Sequence, residues 1–193
     1  YGKTEMWYIA SCREGASIYI GFKNPNITRE EYLSAVNEDR LPEIMNRVEV
    51  KAGDVYFIPA GTIHALGSGV NVLEIQQTSD ITYRIYDWNR TDEQGVAREL
   101  HTALAVDAID FEADAELLHR KYELQKGGEA KVIESNYFTM VLHDVAGSKC
   151  FDHAALDSFV VYIALNGSVR IVADGVAETL EEGEVILIPA EVS

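Results

Sequence analysis

Gly53-Asp54-Val55-Tyr56-Phe57-Ile58-Pro59-Ala60-Gly61-Thr62-Ile63-His64 decides how this chain is read, because its first eight residues return as Gly183-Glu184-Val185-Ile186-Leu187-Ile188-Pro189-Ala190. In each copy a glycine and an acid lead into four bulky apolar residues that a proline then ends. Such a run is a short strand, entered through a turn and closed where proline cannot donate to a ladder. In the first copy Pro59 and Gly61 bend the chain so that His64 can point into the mouth of the sheet. A neutral imidazole there is a good ligand for a divalent metal, although a histidine satisfied inside a core would be the same residue. A second likeness supports the repeat: Trp7-Tyr8-Ile9-Ala10 resembles Val161-Tyr162-Ile163-Ala164, and a Gly turn follows each. Two copies of one strand-rich unit imply two small β-barrels or sandwiches, each closing its own sheet edges.

Outward from the repeat, strand signals dominate. Tyr1 to Ile9 and Ser17 to Phe22 flank the turn Arg13-Glu14-Gly15 and predict a hairpin. Thr28 followed by Glu31 is a capping-box pattern, and Tyr32, Leu33 and Val36 form an apolar stripe at helical spacing. With a second short helix over Leu41 to Met45, this predicts a helical insertion at 28–46. Val48 to Leu66 and Val70 to Tyr86 return to strand, divided by Gly67-Ser68-Gly69, and a helix is expected around Arg98 to Ile109. Strands resume at Val132-Ile133, Tyr137 to Leu142, Phe159 to Ala164, Ser168 to Ala173 and Glu184 to Ile188. The expected organisation is a first barrel over 1–109, a charged linker over 110–131 containing Gly127-Gly128, and a second, truncated barrel over 132–193.

Composition narrows the function classes. The chain carries 16 Lys and Arg against 32 Asp and Glu, a formal net charge of −16 over 193 residues. A surface that acidic repels nucleic acids and anionic membranes, so neither is expected as a partner. It also repels phosphorylated small molecules, so a phosphate site would have to gather basic residues locally. No run approaches the roughly 18 apolar residues of a membrane span. Cys12 and Cys150 are read as reduced thiols of a cytoplasmic protein. The opening directly inside a strand pattern, without methionine, and the close on another strand lead us to expect a piece of a longer protein.

Three motifs together carry a resemblance. The stretch from Gly53 to His64 has the glycine, proline and histidine offsets of the second histidine motif of a cupin barrel. Gly2-Lys3-Thr4-Glu5-Met6-Trp7-Tyr8, Pro59-Ala60-Gly61-Thr62-Ile63-His64-Ala65, and Glu74-Ile75-Gln76-Gln77-x-Ser79-Asp80-x-Thr82-Tyr83-Arg84-x-Tyr86-Asp87 resemble the type I phosphomannose isomerases, most nearly their short bacterial form. The likeness is close over residues 1 to about 107 and architectural beyond. It implies an all-β fold of two cupin-like barrels (double-stranded β-helix, or jelly roll) and an aldose–ketose isomerase acting on a hexose 6-phosphate. It implies one zinc ion, with Glu5 and His64 as metal ligands. The family's remaining ligands come from a Gln-x-His-Pro segment that this sequence does not contain, so the chain as given is expected to hold metal weakly and to be inactive. By the same resemblance Arg84 is the catalytic arginine and Glu74 an active-site acid.

The residues themselves are compatible with these roles and leave some alternatives open. Side chains alternate along a strand, so Lys3, Glu5 and Trp7 share a face, and Lys3 reaches whatever cavity Glu5 lines. The alternative for Glu5 is an exposed strand carboxylate, which its apolar neighbours disfavour. Glu74, Gln76, Thr78, Asp80, Thr82 and Arg84 share one parity unless a bulge breaks it. Moving a proton between C1 and C2 through an enediol(ate) needs a base and a positive charge at the developing oxyanion. Arg84 and the metal suit the second task, with Glu74 and a metal-bound water as candidates for the first. A salt bridge from Arg84 to Asp80 or Asp87 is the plainer reading. His101, His119, His143 and His153 read as structural. No acid in the second repeat matches Glu5, so that unit reads as metal-free. The competing functions are a cupin that binds a sugar or metal without turnover, and an oxygenase cupin. The latter would place a His-x-His pair where Glu5 stands, and none exists here.

Overall fold

The computed structural model describes residues 2–191 and divides into two compact units, Tyr1–Asp144 and Val145–Ser193. Tyr1, at the start of the expected first strand, and Val192 and Ser193, at the end of the expected second barrel, lie outside the described residues. The chain is mostly β, as the sequence implies.

The first unit is built on two antiparallel sheets. One has four strands in the order β6 (Val70–Gln76), β1 (Glu5–Cys12), β4 (Val55–Ile58) and β7 (His119–Arg120). The other has three, β3 (Met45–Glu49), β2 (Ser17–Phe22) and β5 (His64–Leu66). Strand alternation puts Trp7 and Ile9 of β1, Ile18 and Ile20 of β2, and Tyr56 and Ile58 of β4 into one buried cluster, closed by Val50 and Leu118. Burial of the Tyr56 hydroxyl, with the negative charge of Asp54 nearby, pushes its pKa up to about 12.

The helical insertion consists of α1 (Arg29–Asn37) and α2 (Leu41–Ile44). Thr28 caps α1 through both arms of a capping box, its hydroxyl accepting from the Glu31 amide while the Glu31 carboxylate accepts from the Thr28 amide. Tyr32 and Leu41 are fully buried with Phe22, Ile27, Met45, Ile63 and Val106 in a second cluster. Phe22, Tyr32 and Phe111 meet ring to ring there, at centroid separations of 5.7–6.3 Å.

Two sequence expectations shrink. The strand read over Val70 to Tyr86 stops at Gln76, and residues 77–101 form no extended ladder. Ile85 and Tyr86 of that stretch instead pack on the second cluster, and Asp87 is buried under Arg90 and Arg98. The helix expected around Arg98 to Ile109 contracts to α3 (Thr102–Ala105). Within 110–131, a 3-10 turn (Ala115–Leu118) places Leu118 in the core, and β7 pairs with β4. β8 (Glu129–Glu134) and β9 (Thr139–His143) form a hairpin in the same unit.

The second unit holds β10 (Val160–Ile163), β11 (Ser168–Ala173), β12 (Val176–Glu181) and β13 (Val185–Ile188), paired as β10–β13 and β11–β12. Its repeat of the first unit extends to individual hydrogen bonds. Gly53 donates to Ile9 and Ile9 to Asp54, while Gly183 donates to Ala164 and Ala164 to Glu184. The Asp54 carboxylate accepts from the Lys51 amide, as Glu184 does from the Glu181 amide. This pairing corrects the sequence alignment of the hairpins by one residue. Glu5 faces Ile58 and Val160 faces Ile188, so Trp7 corresponds to Tyr162, not Val161, and Glu5 to Val160. The sequence favours the other register, because Tyr8-Ile9-Ala10 is identical to Tyr162-Ile163-Ala164, and it is the strand pairing and the hydrogen bonds of the following glycine that fix the structural one.

Candidate active site in the first unit

β1 sets the site. Glu5, Trp7 and Ile9 point to the same side, and Trp7 and Ile9 are core residues, so Glu5 faces inward at the end of the sheet. In the opposite sheet His64 pairs with Ile20, another core residue, and so shares its inward face. The two side chains meet between the sheets, with Glu5 Oε2 3.6 Å from His64 Nε2. On the neighbouring β6, Gln76 lies directly across from Glu5 and Glu74 across from Trp7. Glu5 is 2% exposed, whereas Glu74 and Gln76 are open to solvent. The arrangement sets a buried acid between the sheets, beside two side chains that are open to solvent.

Each donor is held. Lys3 Nζ lies 2.8 Å from Glu5 Oε1 and balances its charge. Glu5 Oε2, by contrast, has no hydrogen-bond partner among the described residues. His64 Nδ1 lies 2.8 Å from the Thr62 carbonyl. A carbonyl only accepts, so Nδ1 carries a proton and Nε2 is the ring nitrogen turned toward Glu5. Carboxylate oxygen and ring nitrogen then face each other across 3.6 Å, an arrangement that suits a cation or a proton between them. Oxygen and imidazole nitrogen are a suitable pair of donors for zinc. They are two protein ligands, and no cluster of three or more His, Cys, Asp and Glu side chains forms among the described residues.

Trp7 links Glu74 to His64. Its indole Nε1–H donates to Glu74 Oε2 at 2.7 Å, and its ring meets His64 edge to face at 5.2 Å. Sequence reading placed Trp7 on the right face without seeing this bond, and gave Gln76 no role. The signal for Gln76 is register: it becomes a cleft residue only once β6 is paired to β1, through an irregularity between Ile9 and Ser11.

Arg84 stands apart. Because β6 ends at Gln76, the parity linking Glu74 to Arg84 does not persist. The Arg84 guanidinium donates to the Glu99 carbonyl at 3.3 Å, and its backbone exchanges bonds with His101. Among the described residues it makes no ion pair with Asp80 or Asp87, and no hydrogen bond joins it to Lys3, Glu5, His64 or Glu74. Asp87 is held by Arg98 and Arg90, whose hydrogen bonds lower its pKa to about 2 against the opposing effect of burial.

No family model matches the chain. Over 98% of its length it is 34% identical to the probable mannose-6-phosphate isomerase GmuF of Bacillus subtilis and, over 97%, 32% identical to mannose-6-phosphate isomerase ManA of the same organism. The crystal structure of a B. subtilis mannose 6-phosphate isomerase superposes over 98% of this chain with a TM-score of 0.86 at 34% identity. The chain is homologous to the mannose-6-phosphate isomerases. It spans 59% of the length of each of these two relatives and 60% of that crystallised chain. A mannose 6-phosphate isomerase crystallised with zinc and yttrium shares the fold, at a TM-score of 0.64 and 16% identity. Among the described residues no helix is long and apolar enough to cross a membrane.

Proposed function

We propose that this protein interconverts mannose 6-phosphate and fructose 6-phosphate, moving a proton between C1 and C2 through an enediol(ate), in the cleft formed by Lys3, Glu5, His64 and Glu74. The observation that carries the proposal is the buried, half-unpartnered Glu5 carboxylate facing His64 Nε2 at 3.6 Å, with a lysine and a second acid on the same side of the sheet. Homology to mannose-6-phosphate isomerases supplies the reaction and the substrate class.

In this reading Glu5 and His64 are the chain's ligands to a zinc ion. When bound, zinc would supply Lewis-acid polarisation of the substrate oxygens. The chain's own groups divide the remaining work. Lys3 neutralises Glu5 and so lessens the negative charge that an anionic sugar meets there. Glu74, open to solvent and oriented by Trp7, is the candidate to take and return the proton. Arg84 is proposed, on the family resemblance alone, to stabilise the developing oxyanion. That role requires its segment to turn toward the cleft, away from the Glu99 carbonyl.

A coupled assay of fructose 6-phosphate formation tests the proposal, using the protein expressed from its native gene. Turnover of mannose 6-phosphate that is lost on chelation and restored by zinc is expected. Absence of turnover on every hexose phosphate tried, in the presence of zinc, would refute it.

A further inference from the structure

A cavity of about 310 Å³ opens on the face of the β3–β2–β5 sheet opposite to Glu5 and His64. Ile18 and Ile20 of β2 face the core, so the alternating Ser17 and Tyr19 face outward and form its floor. Arg47 of β3, Leu66, Trp88 and Arg90 stand around it. No carboxylate lines it, although the chain has twice as many acids as bases.

Both arginines have binding capacity to spare. Arg47 donates through Nε to Ser17 Oγ at 2.8 Å and has no carboxylate within ion-pair distance among the described residues. Arg90 shares the single carboxylate of Asp87 with Arg98, so this group of three carries excess positive charge. Its guanidinium also lies 5.8 Å from the centroid of the Trp88 ring. Trp88 packs against Tyr19 and Tyr86, at 5.8 and 5.2 Å, and remains 37% exposed.

The backbone here is held in a costly shape. Trp88 and Asn89 both adopt left-handed conformations, with φ of 51° and 52°, which non-glycine residues seldom take. The conformation is pinned from both sides, by Asn89 Nδ2 donating to Asp39 at 3.1 Å and by the Asp87 ion pairs. Its effect is to set an aromatic face beside two arginines.

From these observations we propose that the cavity binds a small phosphomonoester carried on a ring, with Arg47 and Arg90 taking the phosphate and Trp88 and Tyr19 lying along the ring. Guanidinium groups fit phosphate oxygens bidentately, and an aromatic face accepts either a nucleobase or the C–H face of a sugar. The site does not depend on the isomerase reading, because it lies on the other face of the sheet.

Calorimetric titration with ribose 5-phosphate, adenosine 5′-monophosphate and inorganic phosphate tests it on the protein from its native gene. At least one ring-bearing phosphate should bind one per chain and more tightly than inorganic phosphate. Tighter binding of the nucleotide would identify a base as the ring, and tighter binding of ribose 5-phosphate a sugar. Arg47→Met should weaken binding at least about tenfold, since it removes a charge-assisted pair. Arg47→Lys keeps charge and stem but loses the fork, and should weaken it about threefold or more. Lys3→Met, in the cleft, should leave binding unchanged. Unaltered binding in both Arg47 variants, loss of binding in Lys3→Met, or inorganic phosphate binding as tightly as both ring-bearing ligands would overturn the proposal. So would the absence of binding.

Discussion

Trp7→Phe should weaken the first unit by an amount that depends on Glu74. The indole donates to Glu74 at 2.7 Å, and hydrogen bonds to charged groups contribute about 1.5–3 kcal/mol. Glu74 is solvent-exposed, so water replaces the lost donor and the lower end, about 1.5 kcal/mol, applies. Trp7 is buried, and the smaller ring forfeits packing worth about 1 kcal/mol more. The single variant should therefore lose about 2.5 kcal/mol. In Glu74→Ala the indole N–H is left without its acceptor, and the packing around Trp7 is untouched. A double-mutant cycle by urea denaturation isolates the bond, and its coupling energy should be about 1.5 kcal/mol. A coupling below about 0.3 kcal/mol, with both single variants folded, would mean that Trp7 does not orient Glu74 and that the proposed proton-transfer group is unsupported.

Other consequences follow from the fold. Asp87 has its folded pKa lowered to about 2 from an ordinary value near 3.8. Its ion pairs therefore stabilise the protein fully above pH about 4, and this contribution is lost as pH falls through about 2; in Asp87→Asn, acid titration followed by circular dichroism should show that component missing. Gly61 has φ of 90°, and a Cβ there would lie 2.8 Å from the Ala108 carbonyl, whereas Gly147, at the same φ, has open space. Gly61→Ala should lower the melting temperature clearly more than Gly147→Ala, and equal losses would contradict the packing described. Thr28→Ala removes one arm of a complete capping box and should cost about 1 kcal/mol in denaturant unfolding.

How much of this was legible in the sequence varies with the kind of information each feature needs. The shared face of Lys3, Glu5 and Trp7 follows from strand parity, and the helical insertion from the Thr28–Glu31 box. The opposition of Gln76 to Glu5 and the Trp7–Glu74 bond depend on pairing between strands some 60 residues apart, which no local pattern encodes. β12, Val176-Ala177-Glu178-Thr179-Leu180-Glu181, was not among the expected strands. Only Leu180 of it is buried, so it lacks the apolar alternation that marks a strand. Residues 77–86 carry a strand signal for the opposite reason. Ile81, Tyr83, Ile85 and Tyr86 have strand-like composition, yet the stretch has no ladder partner and is anchored instead by the Ile85 and Tyr86 contacts and by Asp87.

Glu5 and His64 are proposed to hold a metal ion between them. Zinc content per chain, measured on the protein from its native gene after dialysis against trace zinc, tests it most directly when Glu5→Gln and His64→Ala are measured beside the unaltered protein. Close to one zinc per chain is expected in the unaltered protein and a large loss in each variant, with both variants still folded by circular dichroism. Full zinc retention in both variants would contradict it.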